Sequence, residues 1–200
     1  MDTDEMRRQV QVLSDRAAVT DVISRYLRSL DEAVLDEEWA RAFHTEDVVA
    51  EMPIGTVRGR AAVLERVRRG MALFDRTVHL SANDVVEIDG DRATVRGAQL
   101  STHVLADGTE GVFVSAGHTE TELVRTAEGW RIAATALRVV WTRGTPPRLP
   151  DDMAPAHAAW ERRRPRSSGS VRAGGPGPGR RGAQGRASRV RTPSEVRVRR

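Results

Sequence analysis

The side chain best suited to moving a proton in this sequence is His79. A neutral imidazole offers one donor and one acceptor, and it titrates near neutral pH when unperturbed. Upstream, Tyr26 and Asp31 stand five positions apart at the end of a helical pattern. At 100° per residue they lie about 140° apart, so they do not share one narrow helix face. If that helix ends by Leu30, Asp31 turns back toward the mouth of a pocket. A carboxylate is unfavourable at the negative C-terminal end of a helix, which favours a specific partner for it. Tyr26 reads either as a core residue with a satisfied hydroxyl or as a group facing the pocket. Downstream, counting in twos along 92–105 places Val95, Gly97, Gln99, Ser101 and His103 on one face. That face turns polar at Gln99, Ser101 and His103, as the wall of a substrate pocket would. His103 is then a candidate second acid–base group. Asn83 reads equally as a donor to substrate or as a turn cap. Trp141, with Phe43, Phe74, Phe113 and Trp130, reads as pocket wall or as plain core packing.

Other chemistries find little support. There is no cysteine, which excludes disulfides and thiolate metal sites. No His/Glu cluster has the spacing of a zinc site. No glycine-rich phosphate loop occurs, and Ser101 and Ser115 lack the context of a nucleophile. Neither metal nor organic cofactor is therefore expected. No apolar run approaches the roughly 20 residues of a membrane span, and the charged start "MDTDEMRRQVQVLSDR" has no apolar leader core. A soluble, cytoplasmic protein is expected.

Helices come first among the elements that must position these groups. Apolar residues recur at helical spacing over about 14–30, with Ser14 or Asp15 as cap, then over 36–43 and 59–73. "DVVAEM" (47–52) reads as a strand, followed by a turn and a short strand. From His79 the period becomes two, with strands expected at about 79–88, 92–105, 111–125 and 129–141. The turns "DGD", "ADGTEG" and "TAEG" supply the Gly and Asp that reversals need. Three N-terminal helices followed by a mainly antiparallel meander make an α+β plan. A strongly curved sheet wrapped around those helices would form a cone with an interior pocket.

Several segments, taken in order, resemble the SnoaL-like branch of the nuclear-transport-factor-2-like superfamily. They are Tyr26-x4-Asp31, "GRAAV", "HLSAN", "DGDRA" and "RTAEGWRI", within residues 10–145. The group includes scytalone dehydratase, bile acid 7α-dehydratase, ketosteroid isomerase and polyketide cyclases. The resemblance implies that Asp31 orients His79 and that Tyr26 assists a leaving group. It implies a second histidine on the strand that carries His103. Ser101 stands where bile acid 7α-dehydratase has an aspartate, and Met52 stands where related dehydratases carry a tyrosine. The implied function is a cofactor-independent dehydratase, isomerase or cyclase acting on a hydrophobic polyketide-, terpenoid- or steroid-like molecule. The alternative is a non-catalytic binding protein, or a partner like the small subunit of ring-hydroxylating dioxygenases. The resemblance also implies a homodimer or homotrimer formed through the open sheet face.

Charge divides the chain. All 32 basic residues are arginine. Residues 161–200 hold 13 Arg against 2 Glu; since the whole chain is +4, residues 1–160 carry −7. Residues 1–150 read as the domain. Residues 151–200 read as an Arg/Gly/Pro-rich appendage with too few apolar groups to fold, disordered from about 155. No aromatic interleaves its arginines, so nucleic acid is not the expected partner.

Overall fold

The computed structural model describes residues 2–151 and 153. Apart from Asp151 and Met153, the basic appendage lies outside the described residues. Helix α1 (Thr3–Glu32) starts about eleven residues earlier than the apolar stripe suggested. Met6, Val10 and Leu13 in those added turns are exposed, so no burial pattern marks them. Local pairing holds them instead. Asp2 caps the first turn, Arg7 pairs with Asp4, and Arg8 and Gln9 bond Glu5. The helix also runs past Leu30, and Ala33 closes it in the left-handed region with its N–H on the Ser29 carbonyl. Asp31 therefore sits inside the last turn. It needs no helix end to face inward, because it lies one turn beyond buried Leu27.

Helix α2 (Glu37–Phe43) leads into strand β1 (His44–Met52), hairpin strand β2 (Gly55–Arg58) and helix α3 (Arg60–Met71). Four long strands follow: β3 (Phe74–Asp89), β4 (Arg92–Leu105), β5 (Val112–Thr126) and β6 (Gly129–Gly144). The sheet order is β2-β1-β6-β5-β4-β3. Only the β1–β6 pair is parallel. Strand β3 begins five residues before His79, because Phe74 to Val78 already pair with the far end of β4. His79 is thus a mid-strand residue rather than the start of a strand.

α1 lies against β3. The core joins one face of α1 (Val19, Val22, Ile23, Leu27) to Val63 and Leu64 of α3 and to Val48, Val95, Leu123 and Ile132 of the sheet. Each such side chain contributes about 1.5–3 kcal/mol by leaving water. The strands bend at bulges, between Ala82 and Val85 in β3 and between Ala116 and Gly117 where β5 meets β6. At Gly117 the backbones approach so closely that a Cβ would meet the Arg138 carbonyl oxygen at 2.3 Å. The architecture is the expected α+β one: three N-terminal helices packed on a mixed, mainly antiparallel sheet.

Candidate active site

Asp31 and His79 meet although 48 positions separate them. His79 Nδ1 lies 2.7 Å from Asp31 Oδ1. The His79 backbone N–H donates to Oδ2 at 3.1 Å, and Thr77 Oγ1 donates to Oδ1 at 2.7 Å. Burial works to raise the Asp31 carboxyl. The bonds from the His79 ring, Thr77 and the His79 N–H outweigh it and hold the group below its ordinary value. A carboxylate only accepts, so the ring proton belongs on Nδ1, and Nε2 keeps its lone pair. The His79 side chain is 6% exposed and that of Asp31 is 24% exposed.

The sheet register assembles the rest. Ser101 stands directly opposite His79, and His103 directly opposite Thr77. The inward face of β4 is the one that alternation indicated: Ser101 and His103 are buried, while Leu100 on the other face is exposed. Gln99 Nε2 donates to Ser101 Oγ at 2.9 Å. The His103 ring lies edge-on to His79 with centroids 5.2 Å apart, and it stacks on Phe74 at 4.2 Å. Its Nδ1 faces the Phe113 carbonyl oxygen at 3.3 Å, which places the proton there and leaves Nε2 as an acceptor. Burial, with the charge that His79 carries when protonated adding to it, pushes His103 down to about 4. His103 is therefore neutral at physiological pH.

The remaining candidates lie elsewhere. Tyr26 belongs to an aromatic cluster, stacked on Trp39 at 5.9 Å with Phe43 and His44 edge-on. Burial pushes its hydroxyl up to about 12. Among the described residues it makes no hydrogen bond to Asp31 or His79, as its 140° offset from Asp31 on α1 predicts. Met52 is half-buried on the β1 face that also carries buried Val48 and Ala50.

Trp141 requires correction, Asn83 keeps only the second of its two readings, and both residues lie beside bulges. Period-two counting from His79 points Asn83 inward. The bulge after Ala82 adds a residue, so Asn83 is exposed with φ 60° and Asp84 takes the inward position. Asn83 lines an open cleft of about 390 Å³ with Arg96, His118 and Arg138. Likewise Val140 is an extra residue between Val139, paired with Gly117, and Trp141, paired with Ala116. Trp141 therefore shares the outer face with Ala116 and is 50% exposed. Thr77 stands two positions before His79 on the same face, outside the strand expected to begin at residue 79. Among the described residues no group of three or more His, Asp or Glu is arranged to hold a metal ion, and no helix is long and apolar enough to cross a membrane.

A long first helix over a bent six-stranded sheet is the architecture of the nuclear-transport-factor-2-like superfamily, and in this chain the half-buried Asp31–His79 pair lies between the two. Within that superfamily, this chain belongs to the SnoaL-like domain family, whose sequence pattern matches residues 11–136. An uncharacterized protein of Mycobacterium tuberculosis, Rv2910c, is 25% identical over 124 residues, 62% of this chain and 84% of the relative. A putative scytalone dehydratase from Novosphingobium aromaticivorans superposes with a TM-score of 0.63 at 22% identity, covering 70% of this chain and 93% of that one. The hexachlorocyclohexane dehydrochlorinase LinA-type3 of Novosphingobium barchaimii gives a TM-score of 0.61 at 21% identity, covering 68% and 94%. At those identities the two structures share the fold.

Proposed function

We propose that this protein is a cofactor-independent acid–base enzyme that eliminates water from, isomerises or cyclises a hydrophobic carbonyl compound. The observation that carries the reading is the 2.7 Å bond from His79 Nδ1 to an Asp31 carboxylate that also holds two further donors. That arrangement commits Nδ1–H and aims the basic Nε2 away from Asp31. In the elimination, Nε2 takes the proton α to the carbonyl, and the C–H electron pair enters the enolate. The C–O bond then breaks, and the imidazolium returns the proton to the departing hydroxyl, which leaves as water. Asp31 stabilises the imidazolium without itself taking the proton. Ser101 accepts from Gln99, so its own hydroxyl proton is available to the enolate oxygen. Neutral His103 presents Nε2 as an acceptor for a substrate hydroxyl. Tyr26 supports the site by packing.

A homo-oligomer formed through the outer sheet face belongs to the same proposal. Leu80, Leu100, Ala116 and Trp141 form one cross-strand row there, and the three large side chains are exposed. The catalytic reading is tested with β-hydroxy ketones in D2O, scored for α-deuteration and loss of water. His79→Ala and Asp31→Asn should each lower turnover by about 10²–10⁴ with unchanged circular dichroism. Near-normal turnover in both variants defeats the mechanism.

A further inference from the structure

The β3 bulge places a second carboxylate on the same inward face as the dyad. Asp84 accepts from Ser81 Oγ at 2.7 Å, and its carboxylate lies over Gly97. A Cβ at Gly97 would stand 1.9 Å from Asp84 Oδ1. Two local features make this placement possible. Asn83 adopts φ 60°, a conformation L-residues rarely take, and position 97 carries no side chain. Backbone outliers of this kind concentrate at binding and catalytic sites.

The hydrogen bonding of Asp84 is incomplete. An ionised carboxylate has about four acceptor sites. Among the described residues only the Ser81 hydroxyl is bonded to it, and no arginine or histidine pairs with it. Yet it is half-buried on the face that holds His79, Gln99 and Ser101. Opposite Asp84 is Gly97, and opposite His79 is Ser101, four ladder positions away. At about 3.3 Å per residue the two stations are about 13 Å apart along the sheet.

Resting on the acid–base reading above, we infer that Asp84 is a substrate-binding residue that accepts a hydrogen bond from a hydroxyl at the far end of an elongated hydroxy-ketone. The carbonyl end lies at His79, and the hydroxyl end displaces water at Asp84. The substrate class is thereby narrowed to rigid molecules of two or three rings with a carbonyl at one end and a hydroxyl donor at the other.

Flavanone and 4′-hydroxyflavanone test this, because they differ only in a hydroxyl remote from the carbonyl. Calorimetric titration of the wild-type protein should give 4′-hydroxyflavanone an affinity about tenfold higher or more, as a charge-assisted bond provides. Asp84→Ala should remove that preference while leaving flavanone affinity unchanged, and Asp84→Asn should give an intermediate preference. His79→Gln should keep the preference and lose deuterium exchange at C3, so the binding role and the proton-transfer role fail separately. Equal wild-type affinities overturn the inference, as does absence of binding at millimolar ligand. A preference that survives Asp84→Ala, or an equal loss of both ligands in that variant, overturns it too.

Discussion

Asp15→Asn should destabilise the protein at neutral pH and hardly at all in strong acid. Asp15 is a buried residue of α1, and Arg125 of β5 grips both its oxygens at 2.7 Å. Gln11 donates to the same carboxylate at 3.2 Å. The guanidinium also bonds Asp91 at 2.9 Å and sits 4.4 Å over the Trp130 ring. The clamp thus ties the first helix to the β5–β6 hairpin. The Arg125 hydrogen bonds, working against burial, bring the Asp15 carboxyl from 3.8 down to about 2. The fold therefore prefers the ionised form. This stability is complete above the unfolded value and is lost as pH falls through the folded one. The depression corresponds to about 2 kcal/mol at pH 7 and to roughly half of that at pH 3. Urea unfolding followed by tryptophan fluorescence should show the gap between wild type and Asp15→Asn shrinking from pH 7 to pH 3 and closing near pH 2. A gap of the same size at every pH, or one below about 0.5 kcal/mol at pH 7, refutes the clamp's role.

Burial pushes His44 down to about 4, and its Nε2 has no partner among the described residues. Its protonation therefore opposes folding, and stability is lost as pH falls from about 6.5 toward 4. His44→Phe should gain stability relative to wild type across that window; parallel pH curves in thermal melts would reject this. Trp141→Glu places a charge in the exposed apolar row of the sheet. Light scattering should show the mass falling to that of the 22.0 kDa monomer, and an unchanged oligomer rejects the outer face as interface.

Much of the site was legible because it depends on local periods. The α1 stripe, the two-residue alternation of β4 and the turns at "DGD" and "TAEG" follow from spacing alone. They place Gln99, Ser101 and His103 on one inward face without reference to any other strand. The pairing of Asp31 with His79 came from the resemblance, since nothing local joins residues 48 positions apart. Packing α1 against β3 makes that contact.

The bulges were illegible in principle. One extra residue in a strand reverses the facing of everything after it, and it is specified by how two strands register rather than by either strand's own text. The bulge after Ala82 puts Asn83, open between substrate donor and turn cap in the sequence, on the outer face and Asp84 on the inner one, and the register of β6 on β5 puts Trp141 on the outer face. Tyr26 shows the complementary limit: composition and position marked it as core or site, and the packing of Trp39, Phe43 and His44 around its ring put it in the core. Alternation along the chain set which residue types reach the inner face. Cross-strand register set which of them meet, because contact is a property of pairs of segments and periodicity a property of one.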